Sequence, residues 1–177
     1  MKHIAGIILL QLIAVMSFSQ YKVTDEGSTV KFKIKNFGLE TGGSFSGLQG
    51  TISFDPNDLK TAKIDLSVDA NSVNTDNNMR DNHLREEGYL DVKQYPRIKF
   101  VSTGITVDNN AHFTATGQIT IKGTTKDISI PFTTVAKDGG YQFVGEFRLN
   151  RKDFKVGGGS TISNGLTVQF NLLAGKQ

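Results

Sequence analysis

From Ser28 onward this chain places an apolar side chain on every second residue, with polar or charged ones between. Val30, Phe32 and Ile34 alternate with Lys31, Lys33 and Lys35, and Ala62, Ile64, Leu66 and Val68 alternate with Lys63, Asp65, Ser67 and Asp69. Successive side chains of a strand point to opposite faces, so this period commits the chain to antiparallel strands with one wet and one buried face. The pattern returns at Ile52 and Phe54, at Ile98 and Phe100, and along Phe113, Ala115, Gly117, Ile119 and Ile121. It returns again at Ile128, Ile130 and Phe132, at Tyr141, Phe143, Phe147 and Leu149, and at Val168, Phe170 and Leu172. Turn formers separate the runs: Asp55-Pro56-Asn57-Asp58, Asp108-Asn109-Asn110, Lys122-Gly123 and Asp138-Gly139-Gly140.

One interval breaks the rhythm. Asp76 to Leu90 is rich in Asn, Arg and Glu, and the spacing predicts a short helix over about 77–86, capped by Asp76, with Met79, His83, Leu84 and Tyr89 toward one side. Pro131, which cannot donate to a ladder, marks an edge, a bulge or a strand start. About eight strands and one helical insert fit either a closed barrel or a two-sheet sandwich, and periodicity does not choose between them. The small inward residues Ala115, Gly117 and Gly145 lie among larger neighbours, which fits either an unfilled interior or strand curvature.

Composition narrows the chemistry. The absence of cysteine removes disulfides, thiolate metal sites, cysteine nucleophiles and a bacterial lipoprotein anchor. Twenty Lys plus Arg against 17 Asp plus Glu give a net charge of +3, unconcentrated in any run, which argues against a nucleic-acid partner. Met1-Lys2-His3 followed by apolar Ile4–Met16 would span about 20 Å as a helix, short of the roughly 30 Å hydrocarbon core. With Ser17 and Ser19 behind it, residues 1–19 read as a secretory signal cleaved before Gln20, leaving one domain over 20–177 and a periplasmic location.

No catalytic constellation stands out. Gly43-Ser44-Phe45-Ser46-Gly47 has the glycines of a nucleophile elbow but Phe45 at its centre. Gly157-Gly158-Gly159-Ser160-Thr161 lacks the lysine of a phosphate loop. Beyond the leader only His83 and His112 remain, too few for a zinc site without carboxylate help. The pairs Asp55/Asp58 and Asp65/Asp69 fall in a turn and on a polar strand face. No cofactor and no metal is expected.

Several blocks carry a resemblance: Ser72-Val73-Asn74-Thr75, Arg80-Asp81-Asn82-His83-Leu84, Asp91-Val92 and Tyr95-Pro96-Arg97-Ile98-Lys99-Phe100. Gly117 to Lys126 and Asn150-Arg151-Lys152-Asp153-Phe154 follow in the same order. In these the chain resembles the YceI-like family of exported, lipocalin-like, polyisoprenoid-binding barrels. The resemblance implies an all-β, eight-stranded antiparallel barrel with one short helical insert, enclosing a long apolar cavity for an isoprenoid lipid such as a prenylated quinone or a polyprenyl chain. It implies structural roles for Arg80, Asp81, His83 and Asn150-Arg151. Gly27-Ser28 stands where family members often carry His-Ser.

Alternation then nominates the cavity lining: Phe32, Phe45, Ile64, Leu66, Phe100, Phe113, Phe132, Phe143 and Phe147, with Ala115, Gly117 and Gly145 as clearance. The function expected is non-catalytic binding, carriage or storage of an isoprenoid or other amphiphilic lipid. A filled barrel serving as a structural or partner-binding module is the alternative, and an enzyme acting on a bound lipid through His83 is a weaker one. The expected partners are that lipid, a membrane or membrane protein met transiently, and a second copy of the chain through the edge at Pro131.

Overall fold

The computed structural model describes residues 20–109, 111–157 and 161–176. The predicted leader over 1–19 and the glycine-rich stretch at 158–160 lie outside the described residues. In chain order the described elements are β1 (Gln20–Thr24), β2 (Thr29–Asn36), β3 (Leu39–Phe45), β4 (Gln49–Ser53), β5 (Lys63–Asp69), α1 (Asn78–Arg85), β6 (Arg97–Asn109), β7 (His112–Ile121), β8 (Thr124–Lys137), β9 (Gly140–Asn150) and β10 (Ile162–Lys176).

All pairings are antiparallel, and they close. The hydrogen-bonded order runs β1-β4-β5-β6-β7-β8-β9-β10, and β10 returns to β1 through Tyr21↔Lys176 and Val23↔Ala174. This ring of eight is the barrel and decides against a sandwich, although β8 pairs with β9 only from Phe132 to Lys137 and runs without that partner from Thr124 to Pro131. The β2–β3 hairpin extends the wall: β2 pairs with β10 along Ile162–Asn171, beyond the stretch that pairs with β1. Thus β1 and β2 are two halves of one ring position, as β3 and β4 are of the next.

Both strands break at the same level, and side chains stitch the breaks together. The Asp25 carboxylate accepts from the backbone N–H groups of Gly47 and Leu48, each at 2.8 Å. Arg97 Nη2 donates to the Gly47 and Ser67 carbonyls, each at 2.8 Å, and Leu173 N donates to Ser28 Oγ at 3.0 Å. The sequence reading missed β1 and β3. In β3, Gly42 and Gly43 replace the alternating apolar set because backbone passes too close for a Cβ. One on Gly42 would stand 2.4 Å from the Phe32 carbonyl oxygen, and one on Gly43 would stand 2.5 Å from that of Asn74.

The two ends of the barrel differ. At the end of the β4–β5, β6–β7 and β8–β9 connections, the Phe54 ring sits among Phe113, Tyr141 and Phe143 at centroid distances of 5.2, 5.4 and 5.3 Å. Their edge-on contacts are favourable for aromatic quadrupoles and plug that end. At the opposite end the segment between β5 and β6, which carries α1, and a single 3-10 turn over Arg151–Phe154 cover part of the opening. Val73, Leu90 and Phe154 are buried there with Ile119 and Ile121.

The helix spans almost the predicted residues, but its cap differs and its buried residue is a charged one. Asn77, not Asp76, is the N-cap, its side chain accepting from Arg80 N at 3.0 Å; Asp76 takes a left-handed φ of 58° just before. Met79 is 83% exposed, and the buried residue is Asp81, 4% exposed. The Asp81 carboxylate accepts from Thr75 N at 2.9 Å and from Thr75 Oγ1, while Arg80 donates to Thr75 Oγ1 and to the Thr75 carbonyl. So short a helix is fastened by this buried polar cluster more than by an apolar stripe. His83 does not share in the fastening: it is exposed, 3.3 Å from Glu86 and packed on the Tyr89 ring.

Pro131 is an edge on one side only. It pairs with Thr114 on β7, whereas the β8–β9 ladder begins at the next residue, Phe132↔Gly145.

Candidate apolar cavity and its vestibule

Inside the barrel, above the aromatic plug, lies a cavity of about 220 Å³. The inward positions of β2 to β10 supply its wall, because the pleat that turns their polar side chains to water turns their apolar side chains inward. Phe32, Phe45, Ile64, Leu66, Phe100, Ala115, Phe132, Phe143 and Phe147, all nominated from alternation, line it.

Three nominations are placed elsewhere. Phe113 belongs to the plug, stacked on Phe132 at 5.4 Å and edge-on to Phe54. Gly117 gives no clearance: a Cβ there would lie 2.3 Å from the Val101 carbonyl oxygen, where the β6–β7 register slips between Ser102 and Gly104. Its role is the bulge, which bends the wall. Gly145 gives none either, since the Phe170 ring and the Pro131 carbonyl occupy the space its side chain would fill.

Other lining residues escaped nomination. Val168 and Phe170 belong to an alternating run and were readable in kind. Leu90, Phe154 and Val156 come from the covering segments, where no period exists to mark an inward face.

The cavity continues into a vestibule of about 720 Å³ at the covered end. Phe32, Phe45, Leu90, Arg151, Val156 and Leu166 line both spaces. The vestibule adds polar groups that the inner cavity lacks, among them Asn36, Thr41, Asn77, Arg80, Asn82, His83 and Glu86. Asn36 Oδ1 is buried there with no hydrogen-bond partner. At the junction Arg151 is buried and donates to the Val156, Ile162 and Ser163 carbonyls, holding the covering turn onto the start of β10. Asn150 caps the same turn through Lys152 N.

Among the described residues no group of three His, Cys, Asp or Glu side chains is arranged to hold a metal ion. His112 begins β7 at the plugged end, remote from His83 at the mouth. Asp55 and Asp58 each accept from a backbone N–H two residues on, as turn formers do. Gly27 and Ser28 line neither space: Gly27 has φ +70° and lies against Leu173, at the corner between β1 and β2. No helix among the described residues is long and apolar enough to cross a membrane.

The model of the YceI-like domain matches residues 21–174, nearly all of the barrel. This chain belongs to the YceI-like domain family. A "UPF0312 protein" of Pseudomonas savastanoi pv. phaseolicola is 34% identical over 162 residues, covering 86% of this chain and 84% of its own. "Protein YceI" of Salmonella arizonae is 28% identical over 169 residues, covering 88% and 87%. Among solved structures, Burkholderia cenocepacia BcnA superposes on this YceI-like chain with a TM-score of 0.80 at 25% identity, covering 84% of this chain and 98% of its own. A polyisoprenoid binding domain from Saccharophagus degradans shares the fold, with a TM-score of 0.70 at 14% identity over 91% of this chain and all of its own.

Proposed function

We propose that this YceI-like protein binds one amphiphilic lipid, with an isoprenoid or similar chain in the cavity and the head in the vestibule. It carries or stores that lipid, without chemical change, in the bacterial periplasm. The observation that carries the reading is the cavity of about 220 Å³ walled by apolar side chains. Apolar volume left unfilled forfeits packing contacts and lowers stability. A filled structural module has no reason to retain it.

The driving force suits a chain rather than a compact polar ligand. Each methylene-sized group taken from water contributes about 0.8 kcal/mol and asks for no hydrogen bond, and the inner wall offers none. The vestibule suits a head: Asn36 Oδ1 stands ready to accept from a hydroxyl or N–H. The polyisoprenoid-binding description of the Saccharophagus degradans domain supports this ligand class, and the leader-like residues 1–19 support export.

The test is purification from the native envelope without detergent, solvent extraction and mass spectrometry, alongside Ala115→Leu, which fills the cavity. A stoichiometric isoprenoid in the wild type, depleted in a folded Ala115→Leu protein, is expected. A fatty acid would keep the cavity and remove the isoprenoid. No lipid, even after quinones and polyprenols are offered, would overturn the reading in favour of the interaction module.

A further inference from the structure

Three two-residue turns in the barrel have the same backbone geometry, with both residues at positive φ. They are Phe37-Gly38 at 49° and 78°, Lys122-Gly123 at 48° and 69°, and Asp138-Gly139 at 52° and 76°. The first position of such a turn favours Asn or Asp, whose short polar side chains tolerate the left-handed region; a bulky aromatic there is strained. The turns between β7 and β8 and between β8 and β9 carry polar residues. The turn between β2 and β3 carries Phe37, and its ring, 76% exposed, gains no packing in return. A local rule broken without a local gain marks a functional position.

Phe37 does not stand alone. Leu39, which opens β3, is 75% exposed, and Met79 at the vestibule rim is 83% exposed. All three lie at the open end of the barrel, and Asn36, the residue before Phe37, lines the vestibule with Met79. Below the tip, the outer face of β2 presents Lys31, Lys33 and Lys35, all exposed. Glu40 lies 3.5 Å from Lys33, leaving Lys31 and Lys35 outside that ion pair. An apolar tip flanked by lysines is the arrangement that sinks side chains to the acyl boundary while ammonium groups meet anionic heads.

We propose that the β2–β3 hairpin tip docks this protein onto anionic bilayer surfaces. Phe37, Leu39 and Met79 enter the interface, Lys31 and Lys35 sit among the anionic heads, and the vestibule faces the membrane. The docking surface rests on its own residues; its use in loading rests on the lipid-binding reading above.

The test is flotation of the purified, leader-free protein with vesicles of phosphatidylcholine alone or mixed with phosphatidylglycerol. Binding to the anionic vesicles, lost at high salt, is expected. Lys31→Gln with Lys35→Gln should weaken it about thirtyfold, at about 1 kcal/mol per lysine. Phe37→Asn with Leu39→Thr should weaken it tenfold or more. Because Asn-Gly is the preferred sequence for this turn, Phe37→Asn alone should raise the melting temperature while lowering vesicle binding, so misfolding cannot account for the loss. Phe37 and Leu39 line neither the cavity nor the vestibule, so lipid delivered from ethanol should still bind the Phe37→Asn and Leu39→Thr variants.

Three results would overturn the proposal: no flotation of the wild type, equal flotation of all variants, or binding to native membranes only, which would point to a protein partner. Vesicle docking without any bound lipid would instead overturn the lipid-binding reading and leave the docking surface standing.

Discussion

The Phe170 ring lies over Gly145 on the neighbouring strand, so close that a Cβ built on Gly145 would stand 2.4 Å from the ring. The Pro131 carbonyl oxygen, 2.5 Å from the same point, closes the other side. Gly145→Ala therefore overpacks a wall rather than narrowing an empty channel. Urea unfolding should show a loss of about 1–3 kcal/mol. A neutral result would mean that this wall yields freely.

Phe54 holds the plugged end through four aromatic neighbours. Phe54→Ala removes the hub of that cluster and should cost about 3–5 kcal/mol. Because the plug lies below the cavity, a variant that still folds should bind a longer or bulkier chain than the wild type, which competition between chain lengths would reveal.

Asp25 joins the two strand breaks by accepting from Gly47 and Leu48. Asp25→Ala leaves both N–H groups without that partner and removes two hydrogen bonds to a carboxylate, so a loss of about 1.5–3 kcal/mol is expected. Hydrogen exchange should report it locally, as faster exchange at Gly47 and Leu48 than at the ladder amides of β7.

Burial pushes the Tyr141 hydroxyl above its ordinary pKa of 10.0, and the neighbouring Tyr21 and Asp55 add to the shift. In the unfolded chain a tyrosine ionises near pH 10, so above that pH the unfolded state binds fewer protons than the folded one. The stability this group contributes is complete below pH 10 and is lost as the pH climbs toward the raised folded value. Denaturant midpoints should fall between pH 9 and pH 11, and Tyr141→Phe should flatten that decline.

Much of the wall was legible because a strand's period of two is a local property. Phe32, Ile64, Phe100 and Phe147 announce an inward face from their neighbours alone, and all four line the cavity. Gly117 and Gly145 face inward as the period says, yet a glycine's neighbours in sequence carry no sign of what approaches it across the sheet. Only the β6 backbone beside one and Phe170 over the other turn apparent clearance into close contact. Leu90, Phe154 and Val156 were invisible for the complementary reason: they reach the cavity from segments without a period. Helical spacing grouped Met79, His83, Leu84 and Tyr89, and all four line the vestibule, but it carried no sign that the face fastened to the barrel holds Asp81, bonded to Thr75.

The amino-acid sequence by itself determined the strand chemistry, the apolar inner face, the helical interruption near 77–86 and the lack of thiol chemistry, since each follows from residue types and short-range spacing. Its motif blocks already carried the family resemblance. Tertiary structure alone decided that ten strand segments make a ring of eight, because the split ring positions depend on Asp25, Arg97 and Ser28 bonding to residues distant in sequence. It also decided that a cavity remains above the aromatic plug. Unfilled volume is a property of how all the inward side chains meet, and no single strand holds that information.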